Sequence, residues 1–350
     1  MSSFAELLQA IPEPDSTAMA AARARQAQLT KPAGSLGRLE QLSIQIAGIT
    51  GLARPRVDRA AVIVLAADHG VARQGVSAYP PEVTPQMVLN FLRGGAAINV
   101  LAGHVGAEVI VADLGVAADL PAHPQLISRK IGYGTQDLSV QAAMTNEQAL
   151  AALLAGAEIA HAAIDRGIQI IATGEMGIGN TTPSSAITAA ITGTSAASVT
   201  GRGTGIDDAG VQRKVALIEQ SLALHRLDPR NGMAVLAAVG GFEIAGLAGV
   251  ILAAATRRVP VVIDGFISGA AALIAATLAP AVRPFLIAGH RSVEQGHRVI
   301  LHHLGLEPLL DLDLRLGEGT GAVLALSLCQ AACKTLDQMA TFEQAGVSQG

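Results

Sequence analysis

The run Ala61-Val62-Ile63-Val64-Leu65-Ala66-Ala67, closed by Asp68-His69-Gly70, decides the fold. An unbroken apolar run rich in branched side chains suits a parallel strand buried on both faces, where a half-exposed strand would alternate with polar residues. The arrangement recurs. Glu108-Val109-Ile110-Val111-Ala112 runs into Asp113-Leu114-Gly115, and Ile168-Gln169-Ile170-Ile171-Ala172 into Thr173-Gly174-Glu175-Met176-Gly177. Val259-Pro260-Val261-Val262-Ile263 runs into Asp264-Gly265-Phe266, and Phe285-Leu286-Ile287-Ala288 into Gly289-His290. Segments 85–104 and 145–166 read as helical crossovers, so the chain is predicted to form an α/β, Rossmann-like doubly wound, mostly parallel sheet. Each polar cluster then sits at a strand's carboxyl end, where parallel strands present their loops to one crevice.

Composition narrows the partners. A net charge of -4 with only 2% aromatic residues over 350 residues supplies neither the basic stripe nor the stacking rings that nucleic acid requires, so the expected partner is a small molecule. Mean hydropathy is +0.43, and segment 233–256 is long and apolar enough to raise a membrane reading. Gly240-Gly241 interrupts it, and Glu243 would lie near the bilayer centre at a cost of roughly 2.5 kcal/mol or more. The segment reads instead as buried helix, with no membrane span. Cys329 and Cys333 stand one turn apart in an Ala-rich stretch without histidine, a spacing for a packed helix face and not for a disulfide or zinc. The start, Met1-Ser2-Ser3-Phe4-Ala5-Glu6, has neither a basic nor an apolar export region, and the expected location is cytoplasmic.

The termini and loops carry further signals. Segment 4–29 reads as helical with a break at Ile11-Pro12-Glu13-Pro14 and an N-cap at Asp15 or Ser16. Lys31-Pro32-Ala33-Gly34-Ser35-Leu36-Gly37-Arg38-Leu39-Glu40 leads into a helix over 39–51; its cations beside glycines suit an anion, or an ordinary solvated loop. Gly174-Glu175-Met176-Gly177-Ile178-Gly179-Asn180-Thr181-Thr182 lies between a strand and a helix, where backbone amides cradle phosphate. It lacks the Gly-Lys-Ser/Thr ending of a P-loop and the spacing of the dinucleotide fingerprint, which disfavours a kinase or a dehydrogenase. Thr200-Gly201-Arg202-Gly203-Thr204-Gly205-Ile206-Asp207-Asp208 is a second such loop; the Arg213 and Lys214 that follow either add cations to it or form a solvated helix face. His297, His302 and His303 read as polar helix surface, and no metal-ligand spacing is present. In Arg315-Leu316-Gly317-Glu318-Gly319-Thr320-Gly321 a carboxylate stands among glycines. It either points into a cavity for chemistry or caps the helix that follows.

Together with Ala67-Asp68-His69-Gly70-Val71 and Asp264-Gly265-Phe266, these motifs closely resemble, in order and over nearly the whole chain, those of the nicotinate-nucleotide–dimethylbenzimidazole phosphoribosyltransferase family. The resemblance implies transfer of the 5-phosphoribosyl group of nicotinate mononucleotide to 5,6-dimethylbenzimidazole, giving α-ribazole 5'-phosphate and nicotinate for the lower ligand of cobalamin. It also implies a homodimer without cofactor, a large Rossmann-like catalytic domain at 58–324, and a small helical domain made of 1–57 plus 325–350 that helps cover the neighbouring subunit's site. Carried onto this sequence, Glu318 is the general base. Gly174, Glu175, Gly177 and Lys214 fall in the ribose and phosphate subsite, Gln86, Gly203 and Asp264 join the substrate-binding set, and Tyr79, Met87 and Leu316 are the candidates for the benzimidazole. The chemistry is consistent: nicotinate leaves from a positively charged ring nitrogen and needs no general acid, so one base suffices where glycosidases use two carboxyl groups. Two other classes are compatible with Gly-rich loops. A nucleotide-binding regulatory module would bind without chemistry, and a Rossmann oxidoreductase would need the fingerprint that is missing.

Overall fold

The computed structural model describes residues 4–348. Met1-Ser2-Ser3, and with them positions 1–3 and 349–350 of the expected small domain, lie outside the described residues. Six strands form one sheet: β1 (Ala60–Ala67), β2 (Glu108–Gly115), β3 (Leu126–Ser128), β4 (Ile170–Met176), β5 (Val261–Ile263) and β6 (Leu286–Ala288). Their order is β3-β2-β1-β4-β5-β6, and every pairing is parallel. The order reverses direction between β1 and β4, so the loops leaving these two strands diverge and open a crevice at their carboxyl ends.

β1 shows why the sheet is central. Its residues are all buried, and its two sets of side chains enter different cores. Ala61, Ile63, Leu65 and Ala67 join the helices Asn146–Asp165 and Phe242–Thr256, whereas Ala60, Val62, Val64 and Ala66 meet Val83–Leu92, Ala97–Val105 and Thr320–Gln338. The period of two in the strand therefore serves both layers of helices. Burying each larger aliphatic contributes about 1.5–3 kcal/mol, which accounts for the apolar run being continuous.

On the first face two helices meet through glycines. A Cβ added at Gly156 would run into the carbonyl oxygen of Gly246, and one added at Gly249 into the carbonyl oxygen of Leu153. The obstructing atoms are backbone and cannot rotate away. Gly156→Ala is therefore expected to destabilise the protein by about 1–3 kcal/mol, read as a lowered midpoint in thermal or denaturant unfolding.

Several boundaries differ from the sequence reading. Segment 85–104 is two helices, Val83–Leu92 and Ala97–Val105, because Gly94 takes φ +76° between them. β3, half-buried and short, has no counterpart in the sequence reading. β4 continues through Thr173-Gly174-Glu175-Met176, which the sequence places in a loop, because β1 runs alongside and pairs Val64 with Gly174 and Ala66 with Met176. Segment 233–256 divides at Gly240-Gly241 into Gly232–Val239 and Phe242–Thr256, both buried, and no helix among the described residues is long and apolar enough to cross a membrane. Glu243, whose cost argued against a span, is fully buried and lies 2.8 Å from His69 Nε2.

At the amino end Asp15 accepts a hydrogen bond from the Ala18 amide and starts the helix Ser16–Gln28, after Phe4–Gln9. The chain ends pack together: Arg25 donates to the carbonyls of Leu336, Asp337 and Met339, and Leu29 bridges Thr341. The helix Thr320–Gln338 is continuous across position 325, and its Leu326, Cys329 and Cys333 belong to the core on the second sheet face. Both cysteines are free and buried, and burial raises their thiol pKa values.

Candidate active site

The carboxyl ends of β4, β5 and β6 surround a cavity of about 470 Å³. Its geometry starts at Gly174. A side chain there would strike the carbonyl of Glu318 and come within 3.1 Å of Val64, so only glycine lets the turn 317–319 lie across β4. In that turn Gly317, Glu318 and Gly319 all have positive φ, at 84°, 62° and 95°. For glutamate this is an unfavourable conformation, held because the surrounding structure fixes it.

Glu318 does not cap the helix that follows it. That task falls to Asp264 at the end of β5, whose Oδ1 accepts from the amides of Gly321 at 2.8 Å and Ala322 at 2.9 Å. The Glu318 carboxylate instead turns to the cavity wall, where Oε2 accepts the Ile98 amide at 3.2 Å, in the first turn of Ala97–Val105. Burial raises its pKa; the Ile98 hydrogen bond opposes this and the charge of Asp264 adds to it. The result is a carboxylate fixed at one oxygen and poised to take a proton.

Four acids, Glu175, Asp264, Glu294 and Glu318, share the cavity wall. Glu175, at the end of β4, is buried and hydrogen-bonded by the Asn180 side-chain amide. Burial pushes its pKa up to about 8, against the Asn180 hydrogen bond and with help from Glu243, Asp264 and Glu318, so near neutral pH it is mostly a neutral acid. Burial likewise raises the pKa of Asp264, while His290, with Nδ1 at 3.6 Å, opposes the rise. Keeping Glu175 protonated limits the negative charge gathered on this wall.

Of the residues singled out from sequence, Tyr79, Met87, Glu175, Gly177, Gly203, Asp264, Leu316 and Glu318 line this cavity. Met87 and Leu316, with Val83 and the Tyr79 ring, provide apolar surface, and Tyr79 and Leu316 are more than half exposed at 55% and 60%. Gly174 lies beneath the Glu318 backbone. Gln86 is exposed on Val83–Leu92 and does not line the cavity, since one residue's rotation separates it from Met87. Lys214 is not solvated, as one reading of its helix allowed: it is fully buried, with Nζ 2.6 Å from Thr181 Oγ1. Burial lowers its pKa to about 8, opposed by the charge of Glu294. Gly203 offers no free amide, because its N–H already donates to Glu294 Oε1 at 2.9 Å.

Sequence reasoning missed Thr181, His290, Ser292 and Glu294 as wall residues. His290 follows β6 and was visible as a strand-end residue; Glu294 carried no signal of its own. His297 is a correction. It is buried, its Nδ1 accepts the Ser292 amide at 3.1 Å, and burial with the neighbouring His290 pushes its pKa down to about 3, while His302 and His303 are exposed. Behind Gly177 lies the His69–Glu243 pair, both side chains fully buried. Burial disfavours the charged imidazole, but the charge and hydrogen bond of Glu243 outweigh it and raise the His69 pKa. Among the described residues no group of three or more His, Cys, Asp or Glu is placed to hold a metal ion.

Comparison with known proteins agrees with this geometry. The phosphoribosyltransferase family model matches residues 11–347. A protein of Chloroflexus aggregans named nicotinate-nucleotide–dimethylbenzimidazole phosphoribosyltransferase is 68% identical over 349 residues, covering 100% of this chain and 99% of its own length. One of the same name from Roseiflexus sp. is 69% identical over 348 residues, 99% of each chain. The crystal structure of the enzyme of that name from Thermus thermophilus superposes with a TM-score of 0.91 at 50% identity, covering 96% of this chain and 100% of its own. With the parallel sheet, the glycine-framed glutamate and the acid-lined cavity in place along its whole length, this chain belongs to the nicotinate-nucleotide–dimethylbenzimidazole phosphoribosyltransferase family.

Proposed function

We propose that the protein transfers the 5-phosphoribosyl group of nicotinate mononucleotide to 5,6-dimethylbenzimidazole, releasing nicotinate and forming α-ribazole 5'-phosphate for the nucleotide loop of cobalamin. The observation that carries this reading is Glu318: a buried carboxylate on the cavity wall beside apolar Met87 and Leu316, with one oxygen held by the Ile98 amide. In the reaction the bond from C1' to the nicotinate nitrogen breaks and the pair of electrons neutralises the pyridinium. A benzimidazole nitrogen forms the new bond to C1', and the proton on its other nitrogen passes to Glu318 and then to water. The ionised carboxylate of Glu318 on the cavity wall also favours the positive charge that develops at C1'. Tyr79, Met87 and Leu316 give the base an aromatic face and apolar walls.

The same reading carries a homodimer in the cytoplasm, with 1–57 and 325–350 as a small helical domain covering the partner's site. The contacts between the chain ends and the exposed Tyr79 and Leu316 at the cavity support it. Incubating purified protein with nicotinate mononucleotide and a panel of benzimidazoles and purines tests the function. Nicotinate release that depends on added base, with a ribosylated base as product, is expected. Tight nucleotide binding without any release would instead point to the regulatory module.

A further inference from the structure

We propose that Thr204 is a positioning residue for the acceptor base: by holding the chain at Ser77 and Ala78 it fixes where the Tyr79 ring stands on the cavity wall. This rests on the phosphoribosyltransferase reading. Thr204 Oγ1 accepts the Ala78 amide at 2.9 Å and lies 3.1 Å from Ser77 Oγ, which in turn accepts the Tyr79 amide at 3.2 Å. Among the described residues no other hydrogen bond leaves segment 76–79. No ring or cation among them packs on Tyr79 either, and its side chain is more than half exposed. An aromatic side chain without such packing owes its position to its backbone.

The two sides of this contact differ in stiffness. The turn that carries Thr204 is closed on itself, with the Arg202 carbonyl accepting the amides of Gly205 at 2.9 Å and Ile206 at 3.2 Å, and it is fastened to the protein where Gly203 donates to Glu294 Oε1. The Tyr79 segment is anchored only at its ends. Gly75 turns with φ +69° and Val76 is buried in the core, while Pro80-Pro81 keep Tyr79 out of helical backbone before Val83–Leu92 begins. Between those ends the Thr204 hydroxyl is the strut. Thr204 and Tyr79 both line the cavity together with Met87 and Leu316, so releasing the strut frees the aromatic wall and leaves the apolar walls in place.

The test compares Thr204→Val, Thr204→Ser, Tyr79→Ala and the double variant Thr204→Val/Tyr79→Ala in steady-state transfer from nicotinate mononucleotide to 5,6-dimethylbenzimidazole. Valine keeps the branched shape and removes the hydroxyl. Thr204→Val is expected to raise KM for the base about three- to tenfold, the size of one lost hydrogen bond, without raising KM for the nucleotide. Thr204→Ser recovers most of the loss. Because the effect runs through Tyr79, adding Thr204→Val to Tyr79→Ala costs nothing further. A spectroscopic arm reads the segment directly: the chain has two tyrosines and no tryptophan, and Tyr133 does not line the cavity, so in a Tyr133→Phe background the tyrosine fluorescence belongs to Tyr79. Its anisotropy, measured without ligands, falls on Thr204→Val and returns with Thr204→Ser. Full additivity of the two substitutions would overturn the proposal, because Thr204 would then act without Tyr79. A loss confined to KM for the nucleotide or to kcat would overturn it as well, as would an unchanged KM for the base with unchanged anisotropy. Where Thr204→Val fails to fold, Thr204→Ala takes its place with the same outcomes. Absence of transferase turnover in the wild type, with anisotropy lost in Thr204→Val and restored in Thr204→Ser, would count against the proposed reaction while leaving the strut standing.

Discussion

Glu318→Gln is expected to lower turnover by something on the order of 10²- to 10⁴-fold, the range lost when a positioned proton acceptor is removed. The substitution keeps the volume of the side chain, and the amide oxygen still accepts the Ile98 N–H that the carboxylate holds now. Nucleotide binding and unfolding midpoint therefore stay close to wild type, and the loss falls on turnover. Since Asp264, not Glu318, caps Thr320–Gln338, stability separates chemistry from structure cleanly in this variant. The pH profile gives a second readout. Burial raises the Glu318 pKa above the ordinary carboxylate value, and a base works only when unprotonated, so activity falls as pH drops through that raised value. Near wild-type turnover in Glu318→Gln across that range would remove it as the base.

Gly174→Ala is expected to cost turnover on the order of 10²-fold although residue 174 carries no functional group. The added methyl would meet the Glu318 carbonyl, which must move for the variant to fold. A shift of about 1 Å in a catalytic group is enough for a loss of that size. Thr173 on the same strand offers a control in Thr173→Ser, which keeps its hydroxyl near the Val262 carbonyl at 3.4 Å and leaves the turn alone. Wild-type turnover in Gly174→Ala would show that the turn adapts without displacing the carboxylate.

The sheet was legible because strands buried on both faces leave continuous apolar runs, as in Ala61-Val62-Ile63-Val64-Leu65-Ala66-Ala67. β3 left no such run: Leu126 and Ile127 are half-buried in a strand at the sheet's edge. The polar end of β4 was hidden for another reason, since Thr173 to Met176 are extended only because β1 pairs with them. His297 could have been placed. It shares the spacing of Ile300, Leu301 and Leu304, which marks the buried face of its helix. Glu318 stood out because glycines flank it. No local pattern, however, could show that the cap of Thr320–Gln338 comes from Asp264, or that Lys214 meets Thr181 from another helix, since both contacts are made only by the tertiary fold.

The glycine contacts between Asn146–Asp165 and Phe242–Thr256 reverse the usual tolerance of a protein interior. In a core built from leucine and phenylalanine, truncation is the costly change because it leaves a void. Here Gly156 and Gly249 bring the two main chains within touching distance, with no side chain between them at those points. At these two glycines nothing can be shortened, whereas any enlargement meets backbone. At both positions the sequence is therefore held at glycine, with no neighbouring smaller residue to drift to. The seam thus tolerates no exploration of size at these points, and a substitution scan across it would register these two glycines where a scan by truncation to alanine elsewhere in the core registers the large residues.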